Sequence, residues 1–252
     1  HRHARLVDAP LYDPAFEHDA CGVGLVVEIS GRPQRAIVER ALAGLVNLTH
    51  RGGVGADERT GDGAGVLTQI PHPLFAPVLA QLGAPSAGPG DYGVAMVFLP
   101  QDDAAEARAR QVLEAAVAGQ GLRVLGWREV PHDPSVLGRI AAATQPRIAQ
   151  LLIGRPEGAT TEAFERELML ARKAAERAAE AQGLDDFYVV SCSSRTIIYK
   201  GFCLAADLSR FYADLRDPNY VSAIALFHQR YSTNTLPTWA MAQPFRFIAH
   251  NG

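Results

Sequence analysis

Short apolar runs and longer helical patterns alternate along the chain. The runs are rich in β-branched residues and end at turn-forming residues, which predicts strands. The predicted strands cover residues 23–29, 66–70, 93–99, 123–130, 148–153, 187–191, 195–199 and 221–227. Between them, apolar residues recur with helical spacing around 38–46, 104–118 and 160–183. Strands that alternate with helices exclude an all-helical bundle and predict an α/β fold in one domain.

The helical and turn patterns also predict details of packing. The positions expected to face the core are Val38, Leu42, Leu45 and Val46 in the first helix and Phe164, Leu168 and Ala171 in the last. Gly183 is expected to cap the last helix. Residues 192–194 predict a tight turn that joins two strands, and the Gly- and Pro-rich residues 83–90 predict a surface loop.

The first twenty residues differ from the rest of the chain. They carry two prolines, several charges and no periodicity, which predicts an irregular leader over residues 1–20 and a domain over residues 21–252. The leader lacks the apolar centre of a secretory signal, and no stretch approaches the roughly eighteen apolar residues of a membrane helix. We therefore expect a cytoplasmic protein with no membrane partner.

Composition and charge narrow the possible functions. Of 252 residues, 48% are hydrophobic and 20% are charged, which is typical of a globular protein with a substantial core. A net charge of -3 gives no basic surface for nucleic acid, so small-molecule chemistry is favoured. The cysteines, at positions 21, 192 and 203, are too scattered for a disulfide framework or a C-x-x-C metal site. At least one of them is therefore expected to be free.

Cys21 is the first candidate for catalysis. It opens a predicted strand, is followed by Gly22 and Gly24, and comes directly after the leader. Cleavage between Ala20 and Cys21 would give the thiol an adjacent α-amine, with a pKa of about 8, that could act as its base. This is the N-terminal nucleophile arrangement. From this residue alone, a buried cysteine that only fills space is the alternative.

Residues suited to amide hydrolysis lie near the other end of the chain. Asn251 and Gly252 can supply a side-chain and a backbone N–H to a developing oxyanion. Arg230, just after a predicted strand, can bind a substrate carboxylate with two parallel hydrogen bonds. Taken alone, Asn-Gly is more typical of a hairpin turn and Arg230 of an ordinary surface residue.

Three groups of motifs follow one another along the chain. They are D-A-C-G-V-G at 19–24; H-R-G-G at 50–53 with D-E-R-T-G-D-G-A-G at 57–65; and R-Y-S-T-N-T-x-P-x-W at 230–239 with P-F-R-x-I-A-H-N-G at 244–252. Together they resemble the class II glutamine amidotransferase domain of glutamate synthase over nearly the whole chain. The last group is the most specific, because other class II amidotransferases usually carry a shorter R-W-A-T-H-G-type sequence at that point.

The resemblance implies hydrolysis of L-glutamine to glutamate and ammonia. Cys21 would attack the side-chain amide, and its freed α-amine would carry the proton to the departing ammonia. Asn251 and Gly252 would stabilise the oxyanion. The implied substrate-binding residues are Arg230, for the α-carboxylate, with Ser232 and Thr233 shaping the same pocket. The implied fold is the N-terminal nucleophile hydrolase four-layer αββα sandwich, expected to be incomplete at its C-terminus.

The resemblance also implies partners outside the chain. In the family, the ammonia reaches a distant domain with FMN and an iron-sulfur cluster, where it converts 2-oxoglutarate to a second glutamate. No cysteine cluster or dinucleotide fingerprint is present here, so we expect no cofactor and no metal in this segment. Downstream synthase domains of the same polypeptide and a small NADPH/FAD subunit are the implied partners. The acidic residue that binds the substrate α-amine is expected beyond Gly252.

Two other functions and several weaker signals are considered. The chain could be an amidotransferase domain of purine, amino-sugar or asparagine synthesis, or a catalytically silent domain that binds glutamine or a partner. The glycines at 61, 63 and 65 are not followed by the Lys-Ser/Thr of a phosphate loop. The residues expected to be structural are His50, His228, His250, Cys192 and Cys203.

Overall fold

The computed structural model of the chain describes residues 22–231 and 235–247. Within these residues the strands are β1 (Val23–Val27), β2 (Ala64–Gln69), β3 (Tyr92–Leu99), β4 (Arg123–Glu129), β5 (Arg147–Gly154), β6 (Tyr188–Ser193), β7 (Thr196–Gly201) and β8 (Ile224–Gln229). The α-helices are α1 (Arg35–Asn47), α2 (His72–Gln81), α3 (Asp103–Gly119), α4 (Arg139–Ala143), α5 (Thr161–Ala181) and α6 (Ala205–Phe211). Short 3₁₀ helices occupy Thr49–Arg51, Pro134–Val136 and Ala213–Arg216.

The strands form two antiparallel sheets that face each other. The strand order is β1-β8-β2-β7 in the first sheet and β4-β5-β3-β6 in the second. Helices α1 and α6 pack on the first sheet, and helices α3 and α5 pack on the second. The described residues thus form the predicted four-layer αββα sandwich, and the fold class is confirmed.

The inner strand β3 is apolar along its length because both of its faces are covered. Successive side chains of a strand point to opposite faces. Val94, Met96 and Phe98 therefore join the core between the sheets, while the alternate residues pack beneath α3 and α5. All of β3 is buried. A continuous apolar run in the sequence thus corresponds to a strand in the middle of the sandwich.

A buried polar network links the two sheets. Arg128 of β4 donates two hydrogen bonds, of 2.8 and 2.7 Å, to the carboxylate of Asp214. Tyr199 of β7 donates to the same carboxylate at 2.6 Å. Gln150 of β5 donates to the Tyr199 hydroxyl at 2.8 Å and accepts from Arg128 at 2.7 Å. Asp214 is only 4% exposed, so its charge is balanced by these partners rather than by water.

The main sequence-based predictions of secondary structure are confirmed. Each predicted strand is present, with ends that differ by at most three residues, and each predicted helix is present. Phe164, Leu168 and Ala171 are buried as expected. Gly183 follows α5 with a φ of 65°, the left-handed conformation expected of a helix cap.

Two packing predictions are wrong. Val46 is 43% exposed, because eight residues turn a helix about 80° past the direction of Val38. Ile37 and Ala41, on the other side of Val38, are buried instead. The predicted turn at 192–194 is also wrong in its bounds, because Cys192 and Ser193 lie within β6 and residues 194–195 join β6 to β7. The chain leaves β6 in the second sheet and enters β7 in the first.

Helices α2, α4 and α6 are additions to the predicted elements, and Pro77 lies inside α2. Residues 83–90 form the expected loop, between α2 and β3. None of the helices in the described part of the chain combines the length and the apolar character needed to cross a membrane.

Candidate active site

Arg230 lies at the end of β8, as the sequence predicts, and its guanidinium is held from two sides. The Arg230 backbone N–H donates to Gly63 O at 2.8 Å. Its guanidinium donates to Asp62 O at 3.4 Å and to the Thr235 hydroxyl at 2.7 Å. The residue is 6% exposed, and this burial lowers its pKa, while the Asp62 carboxylate acts in the opposite sense. These neutral hydrogen-bond partners place a buried cation where an anionic group could bind it.

The start of β1 lies beside the same end of β8. Val23 pairs with His228, and the Gln229 N–H donates to Gly22 O at 2.7 Å. Gly22 is the residue that follows Cys21 in the sequence. The antiparallel register therefore brings Gly22, the first described residue of the domain, close to Arg230.

The glycines of residues 50–65 allow several backbones to approach closely. A Cβ on Gly52 would lie 2.1 Å from the side-chain nitrogen of Gln229, and one on Gly61 would lie 2.6 Å from Cys203 O. A Cβ on Gly63 would lie 2.8 Å from the Ala242 Cβ, and one on Gly65 would lie 2.5 Å from Gln243 O. We call residues 50–65 the glycine loop, and residues 237–247 the terminal segment. The glycine loop lies against the end of β8 and the terminal segment.

Asp57 fixes the shape of the glycine loop. Its carboxylate accepts from the Thr60 N–H at 2.8 Å, the Thr60 hydroxyl at 2.7 Å and the Ile140 N–H of α4 at 3.0 Å. The N–H of Ile140, followed by the Thr60 hydroxyl, lowers the pKa of Asp57 well below its ordinary value. Thr60 in turn accepts from the Ala141 N–H at 3.3 Å. The first turn of α4 therefore binds the loop through two backbone donors.

The terminal segment is bound to three different elements. The Trp239 indole N–H donates to Ala141 O of α4 at 3.1 Å. Lys200 of β7 donates to the carbonyls of Ala240 and Ala242. Arg246 donates to Val189 O of β6. Helix α4 thus contacts both the glycine loop and the terminal segment, although it lies far from either in the sequence.

The chain matches the family model described as glutamine amidotransferases class-II over residues 21–252. The chain belongs to this family. The resemblance indicated by the sequence motifs is confirmed. The match begins at the residue predicted to be the nucleophile, although the boundary of a leader at residue 20 stays a prediction.

Curated relatives of the chain are glutamate synthases. The glutamate synthase [NADPH] large chain of Azospirillum brasilense is 44% identical over 251 residues, which are 99% of this chain and 16% of that protein. Ferredoxin-dependent glutamate synthase 2 of Synechocystis sp. is 46% identical over 236 residues, 94% of this chain and 15% of that protein. The large chain of Bacillus subtilis is 43% identical over 243 residues, 96% of this chain and 16% of that protein. The chain therefore spans about 16% of the length of such relatives.

Of the predicted site residues of this class II amidotransferase domain, the structure describes Arg230. The others, Cys21, Ser232, Thr233, Asn251 and Gly252, lie outside the described residues, as does His250. Their sequence neighbours Gly22, Tyr231 and Phe247 are described. Gly22 and Arg230 are joined through Gln229, and the terminal segment reaches the glycine loop beside them.

The remaining cysteines and histidines show features of structural residues. Cys203 is 2% exposed, and burial raises its thiol pKa well above the ordinary value. Desolvation raises the pKa of Cys192 to about 12, and its thiol donates to Leu168 O at 3.6 Å. His228 is buried in β8, while His50 is exposed, with Nδ1 3.0 Å from Asn47 O. Across residues 22–231 and 235–247, no group of three His, Cys, Asp or Glu side chains is arranged to hold a metal ion.

Sequence reasoning assigned no role to Lys200, Asp57 or α4. Asp57 belongs to a quoted motif, and the Asp-x-x-Thr spacing is a signal for the turn that it stabilises. Nothing in the sequence indicates that Lys200 is buried, because lysine side chains are usually exposed. Its position became apparent only from the packing of the terminal segment.

Substitution of Gly63 by alanine is expected to destabilise the domain by about 1–3 kcal/mol. Gly63 has a φ of 125°, and its new Cβ would meet Ala242. Urea denaturation would measure the change. Gly31→Ala is the matched control, because Gly31 has a φ of 72° but nothing within 4 Å of its Cβ position. If both variants lose the same stability, the close approach of Ala242 is not the cause.

Proposed function

We propose that this domain hydrolyses L-glutamine to glutamate and ammonia as part of glutamate synthesis, with Cys21 as the nucleophile. The observation that carries the proposal is the convergence at the end of β8. Arg230, the backbone beside Cys21, the glycine loop and the terminal segment that continues to Asn251 all meet there. Family membership and the names of the relatives support the same reaction.

Arg230 binds the α-carboxylate of glutamine in this proposal. A guanidinium can donate two parallel hydrogen bonds to a carboxylate, and such bonds are strong in a buried site. Its described hydrogen-bond partners are a backbone carbonyl and a hydroxyl, and the nearby Asp62 carboxylate favours its charged form. Ser232 and Thr233, the residues that follow Tyr231, complete the pocket.

Cys21 then attacks the side-chain amide of glutamine. Removal of residues 1–20 gives it a free α-amine, which takes the thiol proton. The sulfur–carbon bond forms, and the oxyanion is stabilised by the Asn251 side chain and the Gly252 N–H. The carbon–nitrogen bond breaks as the α-amine returns the proton to the departing ammonia. Water then hydrolyses the thioester, which releases glutamate and restores the thiol.

The ammonia is consumed outside this chain. We propose that the rest of the polypeptide adds it to 2-oxoglutarate, since the relatives are named glutamate synthases and are about six times longer than the matched region. FMN and an iron-sulfur cluster would belong to that part of the protein. The chain's own contribution is to bind glutamine, cleave its amide and hold the oxyanion.

Labelling with 6-diazo-5-oxo-norleucine tests the proposal, because this glutamine analogue alkylates a glutaminase nucleophile. Peptide mapping by mass spectrometry is expected to find the adduct on a peptide that begins at Cys21. Cys192 and Cys203 are expected to stay unlabelled, since burial raises the pKa of both thiols.

Two results would contradict the proposal. An adduct on Cys192 or Cys203 would show that the nucleophile is misassigned. An intact leader, with no adduct and no glutamate released, would favour the silent binding domain.

A further inference from the structure

Lys200 is a buried lysine whose amino group contacts the terminal segment. It is the second-last residue of β7 and is 0% exposed. Its Nζ donates to Ala240 O at 2.7 Å and to Ala242 O at 2.8 Å. The ring centroids of Tyr188 and Phe245 lie 4.7 and 4.8 Å from Nζ. The amino group is therefore enclosed by the terminal segment and one residue of β6.

The burial of Lys200 disfavours its charged form. Desolvation, followed by the charges of Arg246 and Arg230, lowers the pKa of Lys200 well below its ordinary value. Nζ also donates a longer hydrogen bond, of 3.4 Å, to the Tyr188 hydroxyl. The bonds to Ala240 O and Ala242 O need two donors, which the amine has in either protonation state. If the amino group were removed, the buried carbonyl of Ala242 would lose this hydrogen bond, and an unsatisfied buried acceptor destabilises the fold. The side chain thus stabilises an irregular backbone that runs outside both sheets.

A short series of contacts connects Lys200 with Arg230. Ala242, whose carbonyl binds Lys200, lies against Gly63. The carbonyl of Gly63 accepts from the backbone N–H of Arg230. A shift of Ala242 would therefore act on the glycine loop beside the anchor for the substrate carboxylate. Residues 248–252 follow the terminal segment in the sequence.

We propose that Lys200 is a positioning residue for glutamine hydrolysis, which fixes the terminal segment and thereby the oxyanion donors Asn251 and Gly252. This inference rests on the proposed function. Lys200 contacts backbone carbonyls rather than substrate, so its effect is on the placement of the donors. A misplaced oxyanion donor lowers the rate of the chemical step, whereas binding of the α-carboxylate depends mainly on Arg230.

The chain provides a matched pair of variants, since Lys173 and Lys200 are its two lysines. In the full-length polypeptide, Lys200→Met is expected to lower kcat for glutamine hydrolysis by about 100-fold, with a much smaller change in KM. Lys173→Met is expected to leave both constants unchanged, because the Lys173 side chain is 57% exposed. Unchanged kcat in Lys200→Met, or a change confined to KM, would overturn the proposal.

Hydrogen exchange measured by mass spectrometry gives a readout that does not depend on activity. Lys200→Met is expected to speed exchange in residues 237–247 more than in β3 or β5. Equal exchange in the wild type and the variant would overturn the inference even if hydrolysis is slower. If the wild type hydrolyses no glutamine, the proposed function fails, while this exchange experiment still tests the contact.

Chemical rescue separates hydrogen bonding from the filling of space. Lys200→Ala removes three methylenes and the amine, which n-propylamine can replace. Added propylamine is expected to restore kcat, and n-propanol of similar size is expected to restore less. n-Propanol donates one hydrogen bond and the amine at least two. Equal rescue by the two compounds would show that the pair of hydrogen bonds from Lys200 is not needed and would overturn the proposal. If Lys200→Met does not fold, refolding Lys200→Ala with each compound gives the same comparison.

Discussion

Cys21→Ala is expected to abolish glutamine hydrolysis and leave the fold intact. Removal of a catalytic nucleophile lowers kcat by roughly 10⁶-fold in a comparable hydrolase, because no covalent intermediate can form. The variant has no thiol to accept the acyl group, whereas Arg230 can still bind glutamine. Glutamate release and labelling by 6-diazo-5-oxo-norleucine would both be measured, with far-UV circular dichroism to check the fold.

The control for Cys21 is a second cysteine of the same chain. Cys192→Ala is expected to retain hydrolysis and labelling, because its thiol contacts Leu168 O beneath α5 and has a raised pKa. If Cys21→Ala keeps its activity while Cys192→Ala loses it, the catalytic thiol is on β6. In that case cleavage of the leader, which supplies the α-amine of Cys21, would not be needed for activity.

Asp214→Ala is expected to lower the free energy of unfolding by about 3–5 kcal/mol. The substitution leaves the Arg128 guanidinium in the interior without its carboxylate and removes the acceptor for Tyr199. Burial disfavours the charged form of Arg128, but the hydrogen bonds that it donates to Asp214, together with the charge of that carboxylate, outweigh the burial and raise the pKa of Arg128. Thermal unfolding of the chain is expected to shift down by roughly 10 °C.

Two further variants identify the cause of this loss. Asp103→Ala removes an acid whose side chain is 91% exposed in its pair with Arg147, and it is expected to cost less than about 1 kcal/mol. The double variant Arg128→Met with Asp214→Leu is expected to recover much of the stability, because no charge is left buried. If the double variant is no more stable than Asp214→Ala, lost packing rather than an unpaired charge is responsible.

The fold could be predicted largely because the sandwich imposes simple patterns. A strand such as β3 is covered on both faces, so its sequence is a continuous apolar run, and this run can be recognised without knowing which strands pair with it. Helix α2 was missed because Pro77, in its interior, argues against a helix, and α4 is only five residues long. The connection between β6 and β7 is short, so the sequence suggests that the two strands are neighbours. They lie in different sheets because β6 pairs with β3 and β7 pairs with β2, which are far away in the sequence.

The candidate site was predictable where a motif carries the chemistry. Arg230 is a candidate from its place after a strand, and residues 50–53 and 57–65 from the motifs that they carry. The residues around them could not be found in that way. Lys200 lies in a short, mostly apolar strand, and its place in the sequence gives no sign of the two carbonyls that it binds. Trp239 belongs to a motif, yet its partner Ala141 lies in an unremarkable alanine-rich stretch.

Helix α4 has a consequence for where the domain can be interrupted. Its N–H groups bind Asp57 and Thr60, and its carbonyl binds Trp239, so one extra residue there would misalign two segments at once. Residues 83–90 connect two elements just as α4 does, but Gly83 and Gly90 have open space around them. A peptide tag or a fluorescent-protein insertion is therefore expected to be tolerated at 83–90 and not at 138–141, although neither stretch carries a predicted helix or strand.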